Sequence, residues 1–309
     1  MENRQSLVAV IGPTGVGKTR LGLELAETFR GEIVSADSMA VYRGMDIGTD
    51  KPGPEARSRV RHHLLDIVDP HCEFNVGEFK SLARCAIIQI TARDHLPILV
   101  GGTALYIRTL LYDYPLASVG SEPEIRKALE DEERRCGRGT LHRRLAEIDP
   151  ESAERLHPND LRRIIRALEV QQITGTPMTR WREQTPTQPV YRCLLVGLWL
   201  PREEIYRRID ARVDRMFADG LVEEVRGLLR DYPRLSATAS QALGYREVLS
   251  YLRGQMDLQE CLRLVKRNTR HFAKRQLSWF RREPGVQWIR ADAPTSTARG
   301  LVANWLEHG

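Results

Sequence analysis

Long apolar runs and paired cysteines are both missing from this chain of 309 residues. No apolar stretch approaches the ~20 residues that a membrane-spanning helix needs. The five cysteines lie far apart with no C-x-x-C pair, so the sequence contains neither a zinc-site spacing nor a disulfide framework. A strand-like segment begins almost at once, without a signal peptide. These absences predict a soluble, cytoplasmic protein that does not use a membrane.

The charge balance is mildly basic. Lys and Arg number 47 against 41 Asp and Glu, which gives a formal net charge of +6 and a pI of about 9.2. Such an excess suits a polyanionic partner but is too small to identify one. The length allows two domains and a sizeable hydrophobic core.

The sequence pattern changes once along the chain and then changes back. The first part alternates short apolar strands with amphipathic helices, which predicts an α/β fold with a buried parallel sheet. From residue 122 the sequence is strongly charged with helical periodicity, which predicts an all-helical insertion domain, and a strand-like segment at 192–200 returns the chain to the sheet. The predicted domains are residues 1–118 (first part of the core), 119–190 (helical insertion) and 191–309 (return to the core plus basic C-terminal helices). The other predicted strands are 7–11, 32–36, 64–68 and 97–100, and the predicted helices are 18–29, 76–92, 103–112, 123–136, 140–148, 151–156 and 161–174.

The motif GPTGVGKT follows the first predicted strand and opens the first predicted helix. It has the form G-x-x-x-x-G-K-[ST], whose glycines let backbone N–H groups turn towards phosphate oxygens while the lysine adds a charge. The threonine hydroxyl can bind Mg²⁺, so Thr19 is a candidate metal ligand. The motif predicts a P-loop NTPase-like core that binds a di- or triphosphate, without showing that the ligand is ATP. The candidate diphosphate-binding residues are Gly12, Pro13, Thr14, Gly15, Val16, Gly17, Lys18 and Thr19.

Two further residues follow predicted strands at the same edge of the sheet. Nucleotide hydrolases with this loop usually have an aspartate at the end of a second strand, but the segment PILVGGT ends in Gly-Gly-Thr instead. The aspartate occurs after the 32–36 strand, as Asp37. We expect Asp37 and Thr103 to face the phosphates, because the carboxyl ends of parallel strands meet at the ligand crevice. An alternative for each is helix capping: Asp37 could cap the segment that follows it, and Thr103 the next helix.

Several motifs in order resemble one family across nearly the whole chain. GPTGVGKT, SADSMAVYRGMDIGTDKP, ILVGGTALY, HPNDLRRIIRALEV and QALGYRE together resemble the bacterial tRNA dimethylallyltransferases. The resemblance implies transfer of a five-carbon isoprenyl group from dimethylallyl diphosphate to the N6 amine of the adenosine next to the anticodon. The phosphate loop would then hold the diphosphate leaving group, with Mg²⁺ as the cofactor. The C-terminus lacks the zinc-finger ligands of the eukaryotic relatives, so the bacterial form is the closer match.

The resemblance also implies catalytic roles. An exocyclic adenine amine is a poor nucleophile that needs a base to take its proton, and Asp37 is the candidate base. Thr103 would bind Asp37 or the substrate amine. Arg212 would reach the diphosphate, where fixed cations stabilise the developing charge. From the sequence alone Arg212 could equally lie on a solvated helix face, since other arginines surround it.

The same resemblance implies a set of contacts with tRNA, whose anticodon stem-loop is the expected partner. A stacked base must be extruded to reach a buried site, and RNA sites pair basic groups with aromatic or polar surfaces; Tyr245 is the candidate ring. Lys266, Arg270 and Lys274 add a basic stripe on the last long helix, although such a stripe is often only a solvated face. The candidate tRNA-binding residues are Asp37, Ser38, Met39, Ala40, Thr103, Arg126, Arg162, Arg163, Ile164, Ile165, Arg166, Gln241, Ala242, Leu243, Gly244, Tyr245 and Arg246.

Three other functions fit parts of this pattern. A small-molecule or nucleotide kinase could use the same loop, with the insertion as a lid, but the missing aspartate at the end of the 97–100 strand and the segment DSMAVYRGMDIGT argue against it. An isopentenyltransferase acting on free adenine nucleotides would need neither the insertion nor the basic C-terminal helices. A non-catalytic tRNA-binding protein would not need Lys18, Thr19 and Asp37 together. We therefore expect a monomeric tRNA-modifying prenyltransferase with dimethylallyl diphosphate as its second substrate.

Overall fold

A six-stranded parallel sheet forms the centre of the protein in a computed structural model that describes residues 4–115 and 119–308. The strand order is β3-β2-β4-β1-β5-β6, and every pairing is parallel. The strands are β1 (Ser6–Ile11), β2 (Gly31–Ser35), β3 (His62–His63), β4 (Leu96–Gly101), β5 (Arg192–Trp199) and β6 (Val286–Arg290). The predicted α/β fold with a parallel sheet is confirmed.

The apolar character of β1 explains its central position. Residues 7–11 have no solvent exposure, because β1 lies between β4 and β5 and both its faces are covered. Val8 is paired with Ile98 on one side and with Leu194 on the other. A strand buried on both faces reads as a continuous apolar run, and this run places the phosphate loop at the middle of the sheet edge.

Fifteen helices lie within residues 4–115 and 119–308, and they account for most of the residues outside the sheet. Those of the α/β part are α1 (Lys18–Thr28), α2 (Pro54–Arg59), α3 (Val76–Thr91), α4 (Ala104–Leu111), α10 (Arg202–Ala218), α11 (Leu221–Asp231), α12 (Ala237–Ser240), α13 (Tyr245–Leu252), α14 (Leu258–Phe280) and α15 (Thr295–Glu307). Those of the predicted insertion are α5 (Pro123–Cys136), α6 (Thr140–Ile148), α7 (Pro150–Arg155), α8 (Leu161–Thr174) and α9 (Met178–Glu183). No helix in the described ranges is long and apolar enough to cross a membrane.

The chain contacts divide the protein into two compact units. One unit comprises Met1–Leu111 and Tyr191–Gly309, and the other Tyr112–Val190. The second unit has its own core of buried apolar side chains, which includes Leu141, Ile164 and Leu168. The predicted domain boundary at 118–119 adjoins residues 116–118, which lie outside the described residues.

The structure differs from the sequence prediction at the two outer strands of the sheet, β3 and β6. The predicted strand at 64–68 is wrong: the strand that pairs with β2 is β3, and Val68 makes only an isolated bridge to Tyr42. Leu64 and Asp66 adopt positive φ angles of 64° and 54°, so the backbone turns where the apolar pattern predicts extension. At the other edge, β6 was not predicted; it pairs with β5 inside a region expected to be helical.

Candidate functional site

The carboxyl ends of β1, β2 and β4 surround one cavity. In a parallel sheet these ends meet at a single edge, which is where ligands of such folds bind. The wall combines cationic, carboxylate, hydroxyl and backbone groups from both sequence segments of the α/β unit. The lining includes Thr14, Lys18, Thr19, Asp37, Asp50, Gly101, Gly102, Arg212 and Gln276.

The phosphate loop contains unpaired backbone donors next to residues that line this cavity. Gly12 has a φ of 147°, and a Cβ there would lie 2.7 Å from the carbonyl oxygen of Leu198, so only glycine fits where the loop leaves β1. Among the described residues, the N–H groups of Gly15 and Gly17 donate no hydrogen bond. Helix α1 begins without a side-chain cap or an acidic residue in its first turn. The loop and the positive helix end are therefore available to an anion.

Lys18 is held inside the loop. Its Nζ donates a 2.8 Å hydrogen bond to the carbonyl oxygen of Pro13. Burial lowers the pKa of Lys18 to about 8; the neighbouring Asp37 raises the pKa in part, and Arg212 lowers it further. A diphosphate would favour the charged lysine, because an anion close to an ammonium stabilises the protonated form.

Arg212 reaches the phosphate loop from α10. Its Nη1 donates a 3.0 Å hydrogen bond to Oγ1 of Thr14 and lies 3.4 Å from Oδ2 of Asp50. The Nε of Arg212 is buried and has no hydrogen-bond partner in the described part of the chain. Because this donor is buried, Arg212 is not on a solvated helix face. A buried guanidinium donor without a partner is costly, so it can bind an additional acceptor.

Asp37 combines the two roles that the sequence left open. Its Oδ1 accepts hydrogen bonds from the backbone N–H groups of Met39 (2.8 Å) and Ala40 (3.3 Å). These bonds fix the carboxylate at the end of β2. Within the described residues its Oδ2 has no hydrogen-bond donor, so one oxygen is used for capping and the other is available to a substrate in the cavity that Asp37 lines.

Thr103 acts through a neighbour rather than by capping a helix. Its Oγ1 accepts from the backbone N–H of Ser38 at 3.1 Å and donates to the hydroxyl of Ser38 at 3.3 Å. Only its carbonyl oxygen takes part in the first turn of α4, where it accepts from Ile107. Thr103 therefore holds the residue after Asp37, and among the described residues no hydrogen bond joins it to Asp37 itself.

Gln276 is a member of the site that sequence reasoning missed. It lies on α14 with 6% of its surface exposed. Its Oε1 accepts from the backbone N–H of Thr14 and its Nε2 donates to the carbonyl oxygen of Gly102, both at 2.8 Å. A Cβ on Gly102 would approach Nε2 to 2.3 Å, which explains the second glycine of the Gly-Gly pair. A lone glutamine in a basic helix gives no sequence signal for this contact.

The candidate tRNA-binding residues of the helical unit differ in whether their side chains are free to contact RNA. Arg126 and Arg166 both form ion pairs with Glu169, whose side chain is fully buried. The side chains of Ile164 and Ile165 are buried in the core of the unit, so neither can contact RNA with its side chain. Arg162 is exposed. The exposed Arg163 forms a 2.7 Å ion pair with Asp160, and surface pairs of this kind break at little cost.

The expectation that Tyr245 stacks on an RNA base is wrong. Its ring is fully buried, and its hydroxyl donates a 2.6 Å hydrogen bond to Oε1 of Glu224. Ala242 and Gly244 are buried as well, whereas Gln241 is exposed and Arg246 is partly exposed. Only the latter two offer accessible polar side chains in this segment, while Leu243 is partly exposed and apolar.

The basic stripe on α14 is partly occupied by contacts with α10. Lys266 forms a 2.6 Å ion pair with Asp214, and Arg270 lies 3.5 Å from Asp210. Lys274 is exposed. The remaining tRNA candidates, Ser38, Met39 and Ala40, lie next to Asp37; Ala40 also lines the cavity. The stripe therefore contributes to helix packing as well as to surface charge.

The comparison with known proteins agrees with the geometry of the site. Residues 40–283 match the family model described as IPP transferase. The tRNA dimethylallyltransferase of Symbiobacterium thermophilum is 50% identical over 293 residues, covering 95% of this chain and 92% of its own. That of Geobacter metallireducens is 50% identical over 306 residues, covering 97% and 98%.

Solved structures match over nearly the whole chain. The full-length tRNA isopentenylpyrophosphate transferase of Bacillus halodurans is 40% identical, with a TM-score of 0.73 and coverage of 98% of this chain and 97% of its own. A eukaryotic dimethylallyltransferase acting on tRNA gives a TM-score of 0.84 at 28% identity, with coverage of 98% and 80%. The P-loop NTPase-like core is therefore confirmed, and the chain belongs to the IPP transferase family.

Proposed function

We propose that this chain transfers a dimethylallyl group from dimethylallyl diphosphate to the N6 amine of the adenosine 3′ of the anticodon in certain tRNAs, releasing diphosphate. The observation that carries the proposal is one cavity in which Lys18 and Arg212 lie with Asp37. Cations suit the leaving diphosphate, and a carboxylate suits the incoming amine. The relatives reported above act on tRNA by name, which favours tRNA over a free nucleotide as the acceptor.

The loop residues stabilise the leaving group. As the bond between C1 of the isoprenyl group and the diphosphate oxygen breaks, the electron pair moves to that oxygen. The ammonium of Lys18 and the guanidinium of Arg212, which both line the cavity, would stabilise this charge, together with the N–H groups of Gly15 and Gly17 in the same loop. Donors that are already oriented need no reorganisation at the moment of reaction.

Asp37 collects the proton. The N6 nitrogen forms its bond to C1 as the bond to diphosphate breaks, and the excess proton on nitrogen passes to the free Oδ2. The bonds from Met39 and Ala40 to Oδ1 hold the carboxylate in place during this step. General base assistance of this kind contributes typically ~10²–10⁴-fold in rate.

The site is compatible with Mg²⁺ as a cofactor. Thr19 lines the cavity beside the loop, and no group of three or more His, Cys, Asp or Glu side chains within the described residues forms a metal cage. Mg²⁺ is usually bound by a few protein oxygens, substrate phosphates and water. Thr19 would hold it, and the bound ion would supply positive charge to the diphosphate.

The acceptor tRNA binds through exposed basic and polar groups in this proposal. Arg162, Arg163 and Gln241 have exposed side chains, whereas Arg126 and Arg166 pair with buried Glu169, and Arg246 pairs with buried Glu247. Base extrusion presents N6 to the cavity, because a stacked adenine cannot reach it. The enzyme would act as a monomer in the cytoplasm, where its RNA substrate is found.

Label transfer from dimethylallyl diphosphate tests the activity. We expect label in tRNA when the protein receives an anticodon stem-loop with adenosine 3′ of the anticodon, and none when that adenosine is replaced by guanosine. AMP as the acceptor tests the free-nucleotide alternative, and ATP hydrolysis tests the kinase or hydrolase alternative. Efficient transfer to AMP, or ATP turnover as fast as prenyl transfer, would contradict the proposal.

A further inference from the structure

Asp50 brings a carboxylate into a cavity that the proposed function assigns to an anion. Its side chain lines the cavity together with Lys18 and Thr14 and is 62% exposed. The residue has a φ of 55°, a left-handed conformation that aspartate and asparagine adopt more readily than most residues. Neither the phosphate-loop motif nor the proposed transfer step uses it.

The backbone on both sides of Asp50 is firmly held. Glu224 on α11 accepts hydrogen bonds from the backbone N–H groups of Asp46 (3.0 Å) and Ile47 (2.8 Å). On the other side, the Lys51 side chain is 1% exposed and its Nζ lies 2.6 Å from Asp66. A buried lysine with a paired carboxylate anchors the chain strongly. Asp50 is therefore presented at the cavity by a fixed turn rather than by a loose loop.

Asp50 faces the arginine that we assign to the diphosphate. Its Oδ2 lies 3.4 Å from Nη1 of Arg212, the same nitrogen that donates to Thr14. A diphosphate that approaches Arg212 is repelled by this carboxylate, because both are negatively charged. To bind the guanidinium, the diphosphate must displace Asp50 or bind beside it. We propose that Asp50 competes with diphosphate for Arg212 and thereby weakens binding of the donor and of the diphosphate product. This inference rests on the proposed function of the cavity.

The size of the effect follows from the exposure of Asp50. A carboxylate with 62% exposure is well screened by water, so its ion pair with Arg212 is weak. The diphosphate carries several charges, which enlarges the repulsion. We expect removal of the Asp50 charge to tighten diphosphate binding by roughly 3- to 10-fold at low salt, and by less at high salt because ions screen the interaction.

The test compares Asp50→Asn with a matched control, Asp94→Asn. Asp94 is exposed and has a φ of 56°, but it lies just before the amino end of β4, whereas the cavity lies at the carboxyl ends of the strands. Both variants lose one negative charge, and asparagine tolerates the left-handed backbone at both positions. Calorimetry with inorganic diphosphate and Mg²⁺ at pH 7 gives the dissociation constants. At that pH Lys18 stays mostly protonated, since its pKa is about 8.

The expected result is tighter binding by Asp50→Asn alone, with a difference from the control that shrinks as salt is raised. Equal affinities in the two variants would overturn the proposal. Weaker binding by Asp50→Asn only when Mg²⁺ is present would overturn it as well, because it would make Asp50 a metal ligand. Failure of the wild-type protein to bind diphosphate would instead contradict the proposed function of the cavity.

Discussion

Replacing Gln276 by glutamate should damage the donor site far more than its small change in shape suggests. The amide joins the N–H of Thr14 to the carbonyl of Gly102 through two hydrogen bonds of 2.8 Å. Glutamate can still accept from Thr14, but its second oxygen faces the carbonyl of Gly102 and cannot donate. The unsatisfied carbonyl should lower the free energy of unfolding by about 1–3 kcal/mol.

The new charge should also weaken donor binding. Two like charges roughly 8 Å apart repel each other by about 2 kcal/mol at an effective dielectric constant of ~20. This repulsion corresponds to a roughly 30-fold larger dissociation constant. We expect Gln276→Glu to raise the KM for dimethylallyl diphosphate and the Kd for inorganic diphosphate by about this factor. Thermal unfolding and calorimetry on the same preparation measure both effects.

Two further variants separate the causes. Gln259→Glu adds the same charge to an exposed position of α14 and should leave both unfolding and diphosphate affinity close to those of the wild-type protein. Gln276→Met removes both hydrogen bonds without adding a charge, so it should lower stability while weakening diphosphate binding much less than Gln276→Glu. If Gln276→Glu bound diphosphate as tightly as Gln259→Glu, the assigned position of Gln276 beside the donor would be refuted.

Three other outcomes are expected. Asp37→Asn should keep the Oδ1 contacts but lower kcat by ~10²–10⁴-fold with unchanged tRNA affinity; near-normal turnover would leave Asp37 only its capping role. Diphosphate affinity should fall as the pH rises through about 8, because burial gives Lys18 a pKa of about 8 and only its protonated form attracts the anion; calorimetry from pH 6.5 to 9.5 would test this range of about three units around that pKa. The double variant Arg162→Ala/Arg163→Ala should reduce the slope of log tRNA affinity against log salt concentration by roughly one unit per lost phosphate contact, without loss of stability. An unchanged slope would place the RNA elsewhere. Arg166→Ala should instead destabilise the helical unit, because it removes a partner of buried Glu169.

Short sequence patterns were enough to predict the central strand and the phosphate loop, because both depend on residues that are neighbours in the chain. The continuous apolar run 7–11 predicted a doubly covered strand, and GPTGVGKT predicted the loop and helix that follow it. The order of the motifs along the chain also indicated the family. These signals are reliable because strand burial, glycine turns and helix starts are specified within a few residues of sequence. The apolar pattern at 64–68 predicted a strand that does not form, because the backbone turns at Leu64 and Asp66 with positive φ angles.

Only the tertiary structure decided which polar side chains are free. The sequence offered Tyr245 as a stacking ring and Arg126 as an RNA contact, but the fold gives both of them structural partners from other segments of the chain, Glu224 and Glu169. It also gave no sign that Gln276 would bridge two strand-end loops or that Asp50 would face Arg212. These contacts join residues far apart in the chain. Their energies depend on the burial and exact separation of two groups, and no pattern within a single segment of sequence contains that information.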